Sequence, residues 1–166
     1  MTDPACGVAH GSPAPEIAGR VLVAVFASPV AQVLLRWAQE LGFRTVLLDP
    51  DPARGADATG LADLDDLADA DVVVTDHHRP ELGAVLRDAL VRPVRWVGVM
   101  GNPRHEGPHV AALAALGVPP EEVARVHRPI GLDIGSRAPA EIALSTLAGL
   151  LADRNGRAGG FAHGSR

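Results

Sequence analysis

The sequence predicts an α/β protein, a single domain built on a doubly wound, Rossmann-like parallel sheet. Several short apolar runs are continuous rather than alternating, as in strands that are covered on both faces. The segments between these runs place Val, Leu and Ala at helical spacing with charged residues elsewhere. The chain has 166 residues, the size of one domain that buries its own core.

Strands and helices are predicted to alternate along the chain. The predicted strands cover 21 to 26, 45 to 48, 72 to 74 and 96 to 100, with a short fifth strand near Asp57 to Leu61. The predicted crossover helices cover 30 to 41, 63 to 69, 80 to 91 and 108 to 116. In such a sheet, ligands are expected at the carboxyl ends of the strands, where the strand order reverses.

A final helix is predicted by "RAPAEIALSTLAGLLADRNG". Pro139 suits its first turn, Glu141 falls near its third position, and Asn155-Gly156 marks its end. The predicted domain covers 20 to 154. Residues 1 to 19 and 155 to 166 lack apolar periodicity and are expected to form a flexible leader and tail.

The composition excludes several classes of function. A net charge of -5 and a pI near 5.7 leave no basic surface for nucleic acid or an anionic membrane, so neither is expected as a partner. All fifteen basic residues are arginine and tyrosine is absent, so a lysine-dependent P-loop, a Schiff base and the usual short-chain dehydrogenase proton donors are excluded. The apolar stretch 21 to 35 is too short to span a membrane, and the single Cys6 suits a reducing compartment. We therefore expect a cytoplasmic protein.

The stretch "VFASPVAQ", residues 25 to 32, stands where a dinucleotide-binding domain carries its glycine-rich turn. Phe26, Ser28 and Ala31 take the places of the three glycines. Phe26 and Ser28 add side-chain atoms where phosphate and backbone would meet, so NAD(P) binding is not expected. Ser28 and Pro29 still suit the start of a helix.

Polar residues follow the second and third predicted strands. Asp49 either holds a ribose hydroxyl or forms a polar Asp-Pro turn, and both interpretations stay open. "TDHHRP" presents Asp76, His77 and His78, which we interpret as a ligand-facing loop. A metal site is the weaker interpretation, because adjacent histidines seldom bind one ion.

Two later loops are further candidates. In "GNPRH", residues 101 to 105, Arg104 either clamps an anion or is a solvated turn residue. In "HRPIGLDIGSRAPAEIA", residues 127 to 143, Asp133 lies between apolar residues, with Gly131 and Gly135 on either side. Its carboxylate either ties the loop to backbone amides or accepts a hydrogen bond from a ligand.

The segments "WVGVMGNPRH" and "HRPIGLDIGSRAPAEIALSTLAGLLA" resemble the C-terminal Rossmann domain of the XdhC/CoxI family, the xanthine dehydrogenase accessory proteins. "TDHH" resembles the family's T-H-D-H, and the resemblance covers most of residues 20 to 154. It implies a maturation factor, not an enzyme. Such a factor binds molybdenum cofactor (molybdopterin) and delivers it to a molybdenum hydroxylase subunit of the xanthine or carbon monoxide dehydrogenase type. Family members also self-associate, so a homodimer or an XdhC-family partner is expected.

The resemblance also implies where the cofactor would lie. The loops Asp76 to His78, Gly101 to Arg104 and Gly131 to Gly135 would hold it, with its phosphate near Ser28 at the start of the first helix. Full-length family members carry an N-terminal domain with a cysteine linked to cofactor handling, and these 166 residues contain no match to that domain, so Cys6 is not expected to have that cysteine's role. Ala138 replaces a helix-capping threonine, a loss of about 1 kcal/mol.

Two alternatives remain beside the maturation factor. The first is a cofactor-free interaction module that binds the hydroxylase or a two-domain relative. The second, favoured less, is an NAD(P)-dependent oxidoreductase, which only the fold class suggests.

Overall fold

The computed structural model describes residues 19–102, 104 and 106–160. A five-stranded, wholly parallel sheet forms its centre, in the order β2-β1-β3-β4-β5. The strands are β1 (Val21–Val25), β2 (Arg44–Leu48), β3 (Ala70–Val74), β4 (Trp96–Val99) and β5 (Val126–His127). The strand order reverses between β1 and β3, which is the switch point of a doubly wound sheet. The predicted fold class is confirmed.

Helices cover both faces of the sheet. They are α1 (Pro29–Glu40), α2 (Leu82–Leu90), α3 (Pro108–Ala115), α4 (Pro120–Val123) and α5 (Pro139–Arg154). Helices α1 and α5 pack together on one face, whereas α2 and α3 pack together on the other. The residues of β1 are buried on both sides: Leu22 faces α1 and α5, and Val23 faces the opposite layer. Because the strands are buried on both faces, their apolar runs in the sequence are continuous and do not alternate with polar residues.

The starts of α1 and α5 follow the sequence prediction. The Ser28 hydroxyl accepts a hydrogen bond from the Ala31 amide at 3.0 Å, with Pro29 next in the chain. Pro139 opens α5, but Ala138 provides no side-chain cap. Ser136 compensates in part, because its hydroxyl accepts from the Ala138 amide at 3.0 Å and donates to the Glu141 carboxylate.

The fifth strand predicted near Asp57 to Leu61 is wrong. This segment makes one isolated bridge, between Leu48 and Ala58, and β5 is instead Val126–His127. Asp57 shows why this segment does not pair as a strand, because its carboxylate accepts a hydrogen bond from the Leu47 amide at 2.8 Å. That amide is therefore bonded to a side chain and not to a further strand.

The helix predicted over 63 to 69 is also wrong. A short 3-10 turn, Leu61–Asp63, ends where the helix was predicted to begin. Asp66 then adopts a positive φ of 54°, which a continuing right-handed helix excludes. The acidic residues in this segment favour turns over helix interior.

A buried ion-pair network joins the end of α5 to the beginning of β3. Asp71 is fully buried and accepts from Arg95 Nε at 2.6 Å and from Arg154 Nε at 2.7 Å. Arg154 also bonds both carboxylate oxygens and the backbone carbonyl of Asp69. The network fixes α5 across the edge of the sheet opposite the candidate site.

The predicted leader and tail lie largely outside the described residues, and Cys6 lies there too. The domain boundaries therefore stay predictions. Within the part of the chain that the structure describes, no helix has the length and apolar character needed to cross a membrane.

Candidate functional site

The loops that follow β1, β3, β4 and β5 meet at the carboxyl edge of the sheet. In the first of them, Ser28 is held from two sides. Its hydroxyl accepts the Ala31 amide and forms a 2.9 Å hydrogen bond with the Thr75 hydroxyl. Thr75, at the end of β3, in turn donates to the Phe26 carbonyl oxygen at 2.8 Å. The Ser28 hydroxyl is thus engaged in closing the turn.

Phe26 occupies the position of the first glycine and keeps a glycine-like backbone, with φ at 71°. Its ring is completely buried in the core layer that contains Leu48 and Val74. A non-glycine residue adopts this conformation only where its surroundings hold it there. Here the Phe26 amide donates a hydrogen bond to the Leu48 carbonyl oxygen at 2.8 Å. The packing of the buried ring in the core also holds the residue in this conformation.

Asp49 lies at the end of β2 and is fully buried. Its carboxylate accepts the amides of Ala27 at 2.9 Å and Asp51 at 3.0 Å. The Arg79 guanidinium donates two further hydrogen bonds to this carboxylate, at 3.2 and 3.1 Å. Burial raises the pKa of Asp49, but the Ala27 amide, Arg79 and the Asp51 amide together hold this pKa below its usual value. The structure therefore places Asp49 in an ion pair.

Arg79 comes from the loop after β3 and crosses above the end of β1 to reach Asp49. Its guanidinium lies 4.7 Å from the centre of the Phe26 ring and also pairs with Glu81 at 3.1 Å. We call the contacts of Arg79 with Asp49, Glu81 and Phe26 the Arg79 bridge. It covers the crevice in which Rossmann domains hold the ribose and pyrophosphate of a dinucleotide. Sequence reasoning missed Arg79, because nothing in "HHRPE" points to an aspartate thirty residues earlier.

The loop after β3 turns at Asp76, whose carboxylate accepts the His78 amide at 2.9 Å. The rings of His77 and His78 lie 4.1 Å apart, with His78 exposed and His77 partly buried. Burial and the nearby His78 lower the pKa of His77, against a hydrogen bond to the Met100 backbone that raises it. His77 therefore reaches from the end of β3 to the end of β4.

Arg128, directly after β5, joins this group and was not predicted. Its Nη2 donates to the Asn102 carbonyl oxygen at 3.1 Å, and its guanidinium lies over Gly101. A Cβ atom at Gly101 would stand 2.6 Å from that nitrogen, so a larger residue there would displace the Arg128 guanidinium. Arg104 is exposed, and its amide donates to the Asn102 side-chain oxygen at 3.0 Å.

Gly131, Asp133 and Gly135 follow Arg128 in the loop between β5 and α5. Gly131 has a φ of 86° and packs against the middle of α5, where a Cβ atom on Gly149 would come within 3.1 Å of it. Gly131 also lines a cavity of about 230 Å³ that contains none of the other predicted site residues. Asp133 and Gly135 are exposed. The contacts that the structure describes for Gly131 are with α5.

Metal binding finds no support in the described part of the chain, which contains no group of three or more histidine, cysteine, aspartate or glutamate side chains placed to hold an ion. This statement does not extend to His105, which lies outside the described residues.

The parallel sheet, its switch point beside β1 and the loops gathered at its carboxyl edge define a Rossmann-type domain. Residues 22–150 match the family model described as the XdhC Rossmann domain. The chain belongs to this family, and the resemblance noted in the sequence is confirmed.

The chain is similar to known proteins, including a curated protein and a solved structure. The YqeB protein of Escherichia coli (strain K12) is 38% identical over 70 residues, which are 42% of this chain and 13% of that protein. A crystal structure described as a xanthine dehydrogenase from Bacillus halodurans aligns with a TM-score of 0.65 and 24% identity. That alignment covers 82% of this chain and 45% of the other, so the chain spans less than half the length of either relative.

Proposed function

We propose that the chain is an accessory factor for a molybdenum hydroxylase of the xanthine or carbon monoxide dehydrogenase type, and that it handles or delivers molybdenum cofactor. Membership of the XdhC family carries this proposal, since the matched range contains all of the parallel sheet except the first residue of β1. The solved relative described as a xanthine dehydrogenase supports the same class of client. The proposed partner is a hydroxylase subunit.

The cofactor would contact the loops after β3 and β4, at Asp76 to His78 and at Gly101 to Arg104. The residues there fit a group that carries a phosphate, because Arg128 and the partly buried His77 supply hydrogen-bond donors at one edge. The bound cofactor would supply the molybdenum chemistry to the client. The chain's own residues would bind and orient it, and no bond-making residue is assigned.

Anaerobic co-expression with the cofactor synthesis genes tests this function. Molybdenum and pterin should copurify with the protein in near-equal amounts, whereas substoichiometric traces of both would overturn the proposal. Gly101→Ala should lower the cofactor content, since its Cβ would displace Arg128. Gly60→Ala is the matched control, because the atom nearest to a Cβ there is 4.0 Å away.

We also propose that NAD(P) does not bind in the Rossmann crevice. The Arg79 bridge fills the place of the ribose, and Phe26 occupies the turn. Calorimetry with NADPH should therefore show no binding at protein concentrations of about 50 μM. A dissociation constant below about 10 μM, equivalent to roughly 7 kcal/mol of binding free energy, would overturn this second proposal.

A cofactor-free interaction module remains the second candidate function. Ile134 in the loop after β5 is 50% exposed, and Leu144 on α5 is 55% exposed. Exposed apolar side chains of this size are found at protein interfaces. If this candidate is right, Ile134→Glu and Leu144→Glu should abolish binding to the cofactor-free hydroxylase, and Val91→Glu, at another exposed position, should not.

A further inference from the structure

We propose that the cavity between β4, β5 and α5 is a binding site for a small planar heterocycle with a cyclic amide edge, where a hydrogen-bond donor stands beside an acceptor. Pyrimidinones and purinones are ligands of this class. The cavity measures about 230 Å³. Its lining residues are all described by the structure, and none of them belongs to the loops after β3 and β4. The site does not depend on the function proposed above.

Trp96 and His127 form an aromatic wall of the cavity. Their rings are stacked, with centroids 5.0 Å apart and planes inclined by 11°. The indole lies over Gly98, where a Cβ atom would collide with the six-membered part of the ring. This glycine thus leaves the indole room against the sheet, and the sheet fixes its orientation. A fixed aromatic wall favours a planar ring, which stacks on it or meets it edge to face.

The loop between β5 and α5 and the segment after α5 form further walls. A Cβ atom on Gly149 of α5 would stand 3.1 Å from Gly131 Cα, so the loop lies directly on the helix. A Cβ atom on Gly159 would stand 2.8 Å from Leu132 Cδ2, so the segment after α5 returns to the same loop. Leu150, which is 2% exposed, adds an apolar surface from α5. Close packing at glycines therefore holds these walls in place.

Two side chains of opposite charge line this cavity without pairing with each other. Asp153 Oδ2 accepts a hydrogen bond from Arg95 Nη1 at 2.7 Å, which holds the carboxylate at the end of α5. Arg157 lies four residues further along, and its guanidinium makes no hydrogen bond or ion pair within the described part of the chain. A cyclic amide would satisfy both side chains, because its N–H donates to a carboxylate and its carbonyl oxygen accepts from a guanidinium.

The charges at this end of α5 balance. Three arginines and three aspartates stand there: Arg95, Arg154, Arg157, Asp69, Asp71 and Asp153. An anion or a cation in the cavity would disturb this balance, whereas an uncharged heterocycle keeps it. The charges therefore favour a neutral ligand over a phosphate ester or an amine.

The volume and the rim of the cavity limit the size of the ligand. Pockets for drug-sized ligands measure about 300–1,000 Å³. A cavity of about 230 Å³ therefore takes one ring or two fused rings and not a dinucleotide. His127, Arg157 and Ala158 are exposed, so the rim is open to solvent.

Nuclear magnetic resonance on the ¹⁵N-labelled full chain tests the site, with isocytosine (2-aminopyrimidin-4-one) as the probe. The chain has two tryptophans, so the indole of Trp37 in α1 is an internal reference for that of Trp96. We expect saturable shifts of the Trp96 indole and of the Gly131 and Gly149 amides, with a dissociation constant below about 1 mM. Pyridine, a ring without a donor, and acetamide, an amide without a ring, should bind at least tenfold more weakly.

Two pairs of variants locate the binding. Arg157→Gln should weaken isocytosine binding about tenfold, as loss of a charge-assisted hydrogen bond does. Arg87→Gln, at an exposed arginine of α2, should stay within twofold. Ala158→Phe should block the rim and abolish binding, whereas Ala114→Phe, at an exposed position of α3, should not.

Shifts that do not saturate, equal shifts of the two indoles, unchanged affinity in Arg157→Gln, or equal affinity for pyridine or acetamide would overturn the site. If Ala158→Phe fails to fold, Arg157→Gln decides, because its exposed side chain has no described hydrogen bond to lose. The site and the proposed function fail separately. Isocytosine binding without copurified molybdenum and pterin would keep the site and reject the function. Copurified cofactor without isocytosine binding would do the reverse.

Discussion

At the scale of single residues, Arg79 determines what the Asp49 carboxylate does. Asp49 is fully buried, and its only described cationic contacts are Arg79 at 3.1 Å and the half-exposed Arg54 at 3.9 Å. Arg79→Met leaves the buried carboxylate with two amides and the more distant, half-exposed Arg54, so we expect the free energy of unfolding to fall by about 2–4 kcal/mol. Urea denaturation at pH 7 measures this. Arg54→Met is the control, with a loss below about 1 kcal/mol, and equal losses in the two variants would contradict the assignment.

Asp49 also makes stability depend on pH. Because its pKa is lowered in the folded protein, its ionised form stabilises the fold fully above the unfolded value of about 3.9. This contribution is lost as the pH falls through the folded pKa. The stability difference between the unmutated chain and Asp49→Asn should therefore be smaller at pH 3 than at pH 6. Urea titrations at the two pH values check it, and a constant difference would contradict it.

Phe26 combines a buried ring with a backbone conformation that favours glycine. Phe26→Ala removes the ring but keeps a Cβ atom at a φ of 71°, whereas Phe26→Gly removes both. We expect a loss of about 3–5 kcal/mol for the alanine variant. The glycine variant should retain about 1 kcal/mol more than the alanine variant. Thermal and urea unfolding of the pair measures the difference, and an alanine variant more stable than the glycine variant would exclude a strained Phe26.

Sequence reasoning placed Ser28 and Pro29 correctly at a helix start, because capping depends on residues three or four positions apart. The role of Asp49 and its ion pair with Arg79 could not be predicted in this way, because thirty residues separate the two side chains. The position of Arg128 over Gly101 was not predictable for the same reason, since only the sheet brings the end of β5 next to the end of β4.

At the scale of elements, the loop between β5 and α5 is set by close packing at Gly131. A Cβ atom there would stand 2.8 Å from Ser145 Oγ, in addition to the strain of a φ of 86°. Gly135 has a φ of 66° but no atom within 4 Å of such a Cβ. Gly131→Ala should destabilise the protein by about 2–3 kcal/mol, through both strain and overpacking. Gly135→Ala, with strain alone, should cost about 1 kcal/mol. Equal melting temperatures for the two variants would refute this difference.

The long elements were predictable because their apolar patterns are long. Helices α1, α3 and α5 lie within one residue of their predicted ends, and four strands match continuous apolar runs. β5 has two residues and no such pattern, so the sequence did not reveal it. The segment predicted as a strand near Asp57 contains Asp, Ala and Gly, which strands disfavour, and the Asp57 carboxylate occupies the Leu47 amide at the outer edge of β2.

At the scale of the whole molecule, Arg154 connects the last helix to the third strand. Its side chain is 7% exposed and bonds the buried Asp71 and the more exposed Asp69. Arg154→Met should lower the free energy of unfolding by about 2–4 kcal/mol, because Asp71 keeps only one of its two arginines. Arg92→Met removes a surface pair with Asp88 and should cost less than about 1 kcal/mol. Chemical denaturation of both variants measures the contrast, and a small loss for Arg154→Met would show that Arg95 alone neutralises Asp71.

If NAD(P) does not bind, as proposed above, the Arg79 bridge also limits how this domain could acquire a nucleotide in evolution or by design. A single change at Phe26 would leave Arg79 across the crevice, and a single change at Arg79 would leave Asp49 without its main cation. Each first step therefore loses stability before any affinity for a nucleotide is gained. The three positions are mutationally coupled, so a route to a dinucleotide-binding descendant requires substitutions at Phe26, Asp49 and Arg79 that are accepted only in combination.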